Sequence, residues 1–151
     1  MDHLADTNVL IRSVEWKHAL HPDAAVAMRA LLRSDQRVCI TPQNVAEFWN
    51  VCTRPADRNG LGLSLAEVDR EVSRLEGILV LLPDVPAIYG EWRRLVVSHS
   101  ISGAQVYDAR LVAAMNVYGV SRILTFNVQD FARYPGIAAV HPGDVASTAS
   151  Q

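Results

Sequence analysis

Three features are scarce in this sequence of 151 residues, and each scarcity excludes a class of protein. No apolar run approaches the roughly 20 residues of a membrane-spanning helix, and no secretory signal pattern occurs, so neither membrane insertion nor export is expected. The two cysteines, Cys39 and Cys52, lie in apolar segments without metal-ligand spacing, which predicts free, buried thiols in the cytoplasm. The net charge of −2 excludes a strongly basic nucleic-acid-binding domain, so nucleic acid would need a local patch or bridging cations.

Short apolar strands alternate with helical segments along the chain, and half of the residues are hydrophobic, which is enough for one compact core. Strands are predicted at residues 3–5, 37–41, 78–82, 122–126 and 137–141. The third of these is apolar throughout, which predicts a strand buried on both faces. The pattern predicts an α/β fold with helices on both faces of a parallel sheet. One domain is expected over residues 1–144, with the small, polar residues 145–151 as a flexible tail.

Asp108 is the most informative acid. It opens a helical segment and shares a ridge with the apolar Val112 and Met115, and the neighbouring face, with Ala109 and Ala113, is also apolar. A carboxylate on a buried helix costs free energy unless it is paired, hydrogen-bonded or bound to a metal. The alternative is an ordinary first-turn acid that interacts with the helix dipole.

Two further acids have weaker signals. Asp6 ends the first strand in Asp-Thr-Asn, where it is either functional or a polar residue that closes the strand while Thr7 and Asn8 cap the next helix. Glu47 lies one turn into the helix that Pro42 opens, beside the apolar stripe rather than opposite it. A solvated helix acid and a functional acid explain Glu47 equally well.

Asn127 and Asp130 follow the fourth strand. As N-cap and third residue of a helix over 128–133 they would form a pair like a capping box, and capping alone would explain Asp130. If the sheet has a switch point between its first and fourth strands, this loop and Asp6 meet at one crevice, and the helices that carry Asp108 and Glu47 reach it. Acids converging there indicate a site for a hard cation such as Mg²⁺.

Four segments, LADTNVL, NVAEFWNV, YDARLVAA and ILTFNVQDF, occur in this order across residues 4 to 142. None is specific alone, but together, on an alternating α/β pattern, they resemble the PIN domain family. Within it, the short single-domain form is similar to the VapC-type toxins of bacterial toxin–antitoxin pairs. The resemblance implies a three-layer α/β/α sandwich around a short parallel sheet with strand order 3-2-1-4-5.

The resemblance also implies a metal-dependent ribonuclease with RNA as substrate and Mg²⁺ or Mn²⁺ as cofactor. Carried over by position, the metal and catalytic residues are Asp6, Glu47 and Asp108, with a fourth position in the loop of Asn127 and Asp130. Asn127 stands where many relatives have Asp. Its carbonyl oxygen can bind a metal without adding charge, which leaves one-metal and two-metal catalysis both open. A small antitoxin partner and a homodimer are implied as well.

The mechanism that the resemblance implies is in-line attack of a metal-activated water on an RNA phosphodiester. Asp6 and Asp108 would hold the metal, while Glu47 and Asp130 would position waters or act as general base. The candidates to hold the RNA backbone are four arginines, for which ordinary solvated charge is the alternative: Arg12, Arg54, Arg58 and Arg110.

Two other functions compete with a ribonuclease. The first is a degenerate PIN-like domain that binds without catalysis, which the Asn127 departure favours. The second is a metal-dependent phosphohydrolase of small phosphate esters. Against the second, the sequence has neither an Asp-x-Asp nucleophile motif nor a glycine-rich phosphate loop.

Overall fold

The structure of the protein is a computed structural model, which describes residues 1–150. Its sheet contains five strands in the order β3-β2-β1-β4-β5, and every neighbouring pair is parallel. The strands are β1 His3–Ala5, β2 Val38–Ile40, β3 Val80–Leu81, β4 Arg122–Leu124 and β5 Ala138–Val140. The predicted parallel sheet and its strand order are confirmed.

The described residues also contain seven α-helices and two short 3₁₀-helices. The α-helices are α1 Thr7–Val14, α2 His21–Arg33, α3 Pro42–Thr53, α4 Leu65–Ile78, α5 Pro86–Ser98, α6 Gln105–Tyr118 and α7 Pro142–Ala149. The 3₁₀-helices are Ala56–Arg58 and Val128–Phe131. In residues 1–150, no helix combines the length and the apolar character that crossing a bilayer requires.

Helices cover both faces of the sheet. Successive strand residues point to opposite sides, and apolar side chains on each side pack against a different set of helices. In β1, Ala5 packs into a core with α1 to α4, whereas Leu4 packs into a second core with α5 and α6. Ile40 and Cys39 of β2 divide in the same way between the two cores. The result is the predicted three-layer α/β/α sandwich.

The predicted doubly buried strand at 78–82 is wrong. Ile78 is still part of α4 and is 47% exposed, and β3 contains only Val80 and Leu81, the latter 40% exposed. The strand lies at the edge of the sheet and pairs only with β2, so its outer side has no neighbouring strand. A continuous apolar run does not distinguish an edge strand preceded by a helix from a central strand.

The expectation of a flexible tail is wrong for residues 145–149, which continue α7. Pro142 occupies the first helical turn, and the His141 side chain accepts a hydrogen bond from the Gly143 N–H at 2.9 Å, so the helix has a defined start. The helix packs against α2, and Ala146 is buried. Gln151, the last residue of the expected tail, lies outside the described residues.

The topology contains the predicted switch point. β1 lies at the centre, with β2 on one side and β4 on the other. The carboxyl ends of these strands run directly into the residues that begin α1 and α3 and into the loop after β4. The crevice between them is where ligands bind in open α/β sheets.

Candidate active site

Asp6 lies at the centre of this crevice and is 8% exposed. It is itself the N-cap of α1, because its Oδ1 accepts a hydrogen bond from the Thr7 N–H at 2.8 Å. The alternative in which Thr7 and Asn8 cap that helix is therefore wrong. Its Oδ2 accepts a hydrogen bond from the Thr125 hydroxyl at 2.7 Å, which ties the end of β1 to the residue after β4.

Glu47 is fixed by two neighbours. The Thr7 hydroxyl donates to its Oε2 at 2.8 Å, and the Gln43 amide donates to its Oε1 at 2.7 Å. The Thr7 hydroxyl in turn accepts a hydrogen bond from the Asn44 amide at 3.1 Å. Asn44 is the third helical residue of α3 and forms a capping box with Thr41, so the cap of that helix also orients the acid. Glu47 is therefore a positioned carboxylate rather than a freely solvated one.

Asp108 is half-buried in the first turn of α6, above the fully buried Val112 and Met115. In the described part of the chain, no hydrogen bond or salt bridge reaches its carboxylate. The predicted placement of an acid on an apolar ridge is confirmed, and none of the ordinary partners of a buried carboxylate is present among residues 1–150.

The Asn127–Asp130 loop forms the outer rim of the crevice, and both side chains are exposed. The capping pair that would have explained Asp130 does not form: Asn127 is the N-cap residue of a 3₁₀-helix, without a side-chain capping bond. The connection is instead between main-chain groups, from the Asp130 N–H to the Asn127 carbonyl at 3.1 Å. The Asp130 side chain is thus left available.

The four acids repel one another. Burial raises the pKa of Asp108, and the negative charges of the other three acids contribute further, so that it reaches about 7 despite the opposing charge of Arg133. Burial also raises the pKa of Asp6, although the hydrogen bonds from Thr125 and Thr7 oppose the rise. In residues 1–150, no lysine or arginine forms a salt bridge with any of the four acids, so this repulsion is not neutralised by the protein.

The donor set has the chemistry of a hard-cation site, because it offers carboxylate oxygens and the Asn127 amide and no sulfur or imidazole. Among residues 1–150, however, no three Asp, Glu, His or Cys side chains are arranged around a single ion position. Mg²⁺ commonly binds through one or two carboxylates and keeps several of its waters. The residues therefore fit an ion that one or two of the acids touch directly, with the others acting through water.

The four candidate arginines are dispersed. Arg12 forms a salt bridge with Glu15 and Arg54 ends α3, while Arg58 is exposed in the 3₁₀-helix that follows. Arg110 differs, because it donates a hydrogen bond to the Gln43 amide oxygen at 3.2 Å, and Gln43 holds Glu47. Within the described residues, Arg110 is the one of the four that is connected to the acids by hydrogen bonds.

Sequence reasoning missed the residues that support the acids. The Thr125 hydroxyl bonds Asp6 and also accepts from the Asn127 N–H at 3.0 Å and from the Asn8 amide at 3.4 Å. Gln43 and Arg133 were also not identified. One signal could have indicated Thr125: a hydroxyl residue within the apolar run predicted as the fourth strand, where a buried hydroxyl needs a hydrogen-bond partner. Gln43 and Arg133 carry no comparable signal in the sequence.

A family model of the PIN domain matches residues 4–137, which is most of the chain. This chain belongs to the PIN domain family. The resemblance predicted from four short segments is thereby confirmed. None of the curated proteins compared matches the sequence significantly.

Solved structures support the same PIN fold at low sequence identity. A chain of the VapBC2 complex from Rickettsia felis, bound to promoter DNA, has a TM-score of 0.69 at 14% identity, over 93% of this chain and 98% of that one. A chain of VapBC-1 from Haemophilus influenzae has a TM-score of 0.66 at 15% identity, over 94% and 98%. VapC20 from Mycobacterium tuberculosis, a sarcin–ricin loop cleaving toxin, has a TM-score of 0.60 at 18% identity, over 82% and 87%.

Proposed function

We propose that this PIN domain is a Mg²⁺- or Mn²⁺-dependent ribonuclease that hydrolyses RNA phosphodiester bonds. The observation that carries the proposal is the convergence of Asp6, Glu47, Asp108 and Asp130 at the switch point of the sheet without a basic partner. Burial and then repulsion by the other acids raise the pKa of Asp108, and the positive charge of a divalent cation would oppose both effects. The cation would also make the electrostatic potential at the crevice less negative or even positive, so that an RNA phosphate could approach these acids.

Asp6 and Asp108 are the residues that would hold the cation, with Glu47, Asn127 and Asp130 as further oxygen donors. Asp6 suits this role because its carboxylate is fixed by two hydrogen bonds at the centre of the crevice. A bound divalent cation would lower the pKa of a water molecule and offset the negative charge that develops on the phosphate.

Glu47 and Asp130 have complementary positions for handling the attacking water. Glu47 accepts hydrogen bonds from Thr7 and Gln43 on its two oxygens, so its orientation is set before substrate arrives. Asp130 is exposed at the rim, where it faces incoming substrate and solvent. We assign to these two carboxylates the orientation of water and the acceptance of its proton.

The cellular role we propose is that of the toxin in a toxin–antitoxin pair. Support comes from the fold, because two VapBC complexes and a toxin–antitoxin complex from Klebsiella pneumoniae contain chains that align with nearly all of this one. A small antitoxin protein that binds this chain, a homodimeric assembly and a cytoplasmic location belong to the same proposal.

Cleavage of RNA by the purified protein tests the enzymatic part. We expect cleavage of single-stranded RNA with Mg²⁺ or Mn²⁺, no cleavage with EDTA, and none by Asp6→Asn. Asparagine is also a good N-cap, so this variant should keep α1 and the fold intact by circular dichroism. Undiminished cleavage by Asp6→Asn, or cleavage in EDTA, would contradict the proposal. Turnover of a nucleoside monophosphate in place of RNA would favour a phosphohydrolase.

Expression in a bacterial host tests the cellular part. We expect the wild-type chain to arrest growth, Asp6→Asn to be harmless at the same protein level, and a co-expressed antitoxin to relieve the arrest. Equal toxicity of the two forms would mean that the arrest does not come from the acid site.

A further inference from the structure

A groove of about 250 Å³ lies between α5 and the start of α6, close to the acid site. Its walls combine apolar and aromatic side chains with one guanidinium group. The lining residues are Val85, Ile88, Tyr89, Trp92 and Arg110. Nothing in the chemistry proposed above uses this groove apart from Arg110, which is one of the candidate backbone contacts.

Two aromatic rings dominate the groove. Tyr89 and Trp92 lie one turn apart on α5, with their ring centroids 6.2 Å apart and their planes inclined by 38°. The Trp92 indole N–H donates a hydrogen bond to the Val106 carbonyl at 2.8 Å, which fixes that ring against the segment that begins α6. Tyr89 is 64% exposed, so one fixed ring and one accessible ring stand side by side.

Hydrogen bonds connect the groove with Glu47. Arg110 lines it and donates a hydrogen bond to the Gln43 amide oxygen at 3.2 Å. The amide nitrogen of the same Gln43 donates to Glu47 at 2.7 Å and to the Tyr107 carbonyl at 2.9 Å. A molecule that enters the groove therefore lies beside Arg110, which two successive hydrogen bonds through Gln43 connect with Glu47.

Positive charge accompanies the rings. Arg93 follows Tyr89 by four residues, so the two side chains project from the same side of α5. It is exposed, and no carboxylate among residues 1–150 forms a salt bridge with it. An accessible aromatic ring next to a free guanidinium group is the combination with which proteins bind single-stranded nucleic acids, the ring stacking on a base and the charge contacting a phosphate.

We propose that this groove binds an unpaired base of the RNA substrate by stacking on Tyr89, with Trp92 as its fixed wall and Arg93 near the adjoining phosphate. The proposal rests on the ribonuclease function proposed above and adds a binding site for one unpaired base of that substrate. Arg110 then has a positioning role, since it connects the groove with Gln43 and Glu47. Arg110 already forms a salt bridge with Asp84 at 3.1 Å. An apolar protein partner would cover the rings equally well but would leave Arg93 without a counter-charge.

A double-mutant cycle between the groove and single bases tests the proposal. The protein carries Asp108→Asn in every case so that RNA is bound without being cleaved. The probes are a single-stranded RNA of about ten nucleotides and a series in which one nucleotide at a time lacks its base. We expect one position at which removal of the base weakens binding by about 5- to 100-fold, and we expect Tyr89→Ala to abolish the sensitivity at that position. Tyr89→Phe, which keeps the stacking ring, should retain it.

Val97→Ala is the matched control, because Val97 is 74% exposed on the same helix and does not line the groove. It should behave as the parent at every position. Binding that is insensitive to every missing base, or a sensitivity that Tyr89→Ala leaves unchanged, would overturn the proposal. Light scattering on the same proteins adds an outcome: if Tyr89→Ala dissociates a dimer and weakens intact and base-free RNA equally, the patch is a contact between copies of this chain and the proposal fails.

Cleavage by the otherwise wild-type chain separates this proposal from the proposed function. If RNA is cleaved and Tyr89→Ala raises KM with little change in kcat, both are supported. If RNA is cleaved and Tyr89→Ala leaves KM unchanged, the groove proposal fails while the ribonuclease stands. If no RNA is cleaved with Mg²⁺ or Mn²⁺, the ribonuclease itself fails.

Discussion

The amino ends of the parallel strands form one edge of the sheet, the amino edge, and their carboxyl ends form the opposite one, the carboxyl edge. In the described part of the chain, an acid is paired with a basic residue at the amino edge, whereas the acids of the candidate site are unpaired at the carboxyl edge. At the amino edge, Arg37 donates to both oxygens of Asp2, and this ion pair lowers the pKa of that carboxyl group. The buried His3 beside them has a lowered pKa, because of burial first and the charge of Arg122 second. At the carboxyl edge, the pKa values of Asp6 and Asp108 are raised and no basic residue among 1–150 pairs with them.

This contrast separates residues that stabilise the fold from residues that do not. Acidic groups at the amino edge gain a partner on folding, whereas those at the carboxyl edge lose solvation and gain like-charged neighbours. A cluster that destabilises the free protein and yet is built on well-formed caps and strand ends indicates a function for which the charge is needed. A divalent cation is the partner that would neutralise it.

The largest expected difference between the edges is in catalysis. Asp108→Asn should lower metal-dependent RNA cleavage by more than about 100-fold, beyond the loss typical of a residue that only supports a metal site. Asp2→Asn, the same chemical change at the amino edge, should leave the cleavage rate unchanged. Initial rates on one RNA at saturating Mn²⁺ measure both. Comparable losses in the two variants would mean that the carboxyl edge is not the active site.

A smaller loss is expected when a supporting side chain is removed. Gln43→Ala should lower cleavage by about 10- to 100-fold, because Glu47 loses the hydrogen bond that fixes Oε1. Gln129→Ala is the control, since Gln129 is exposed near the same crevice. The same rate assay measures both. A loss with Gln129→Ala as large as that with Gln43→Ala would argue against a specific role for Gln43.

The two edges should also respond oppositely to pH in the metal-free protein. Folding raises the pKa of Asp108 from 3.8 to about 7. The favourable contribution of this group to the free energy of unfolding is therefore complete below its unfolded-state pKa and is lost as pH rises through about 7. Asp108→Asn should therefore stabilise the protein above pH 7, by about 2 kcal/mol after allowance for its partial exposure, or about 4–8 °C in Tm.

Thermal unfolding in EDTA across pH 4 to pH 8 measures this effect. The stability of Asp108→Asn should fall less steeply than that of the wild type between about pH 4 and pH 7, and the two should converge at the acidic end. Parallel curves would mean that Asp108 is not the group that retains its proton on folding.

The smallest expected effect is the change in stability caused by Asp2→Asn, which is opposite in sign to that caused by Asp108→Asn. Because the pKa of Asp2 is lowered, its contribution is present above its unfolded value of 3.8 and is lost as pH falls through the folded one. Asp2→Asn should therefore destabilise the protein at neutral pH, by about 0.5 kcal/mol as for an exposed ion pair, and high salt should reduce the difference. Urea unfolding at pH 7 checks it, and a stabilising effect would contradict the contrast between the edges.

The sequence was sufficient for the features that local patterns determine. Short apolar strands alternating with helical segments predicted a parallel sheet with helices on both faces, and an acid on the apolar ridge of α6 predicted the burial of Asp108. The edge position of β3 was not predictable from ILVLL, because hydrophobicity does not report how many neighbours a strand has. The helix α7 was missed because its residues are small and polar, and its packing against α2 is a tertiary contact.

The candidate site was predictable in its acids but not in their supports. Asp6, Glu47 and Asp130 stand at the start of a helix, inside a helix and after a strand, and only the topology brings them together. The bonds from Thr7 to Glu47 and from Thr125 to Asp6 join residues separated by 40 and 119 positions. No local rule connects residues so far apart. The predicted capping pair of Asn127 and Asp130 fails for the opposite reason, because a local rule favoured a cap that does not form in the folded chain.

Calorimetric titration with Mn²⁺ tests most directly whether the carboxyl edge binds a divalent cation. The wild type should bind at concentrations below about 1 mM. Its affinity should rise as pH increases from about 6 to 8, since the metal competes with the proton on Asp108, and binding should release more protons at pH 6 than at pH 8. Asp108→Asn should bind more weakly and lose most of this pH dependence, while Asp2→Asn should match the wild type. Absence of binding to the wild type at either pH, or unchanged binding by Asp108→Asn, would contradict a metal site at this edge.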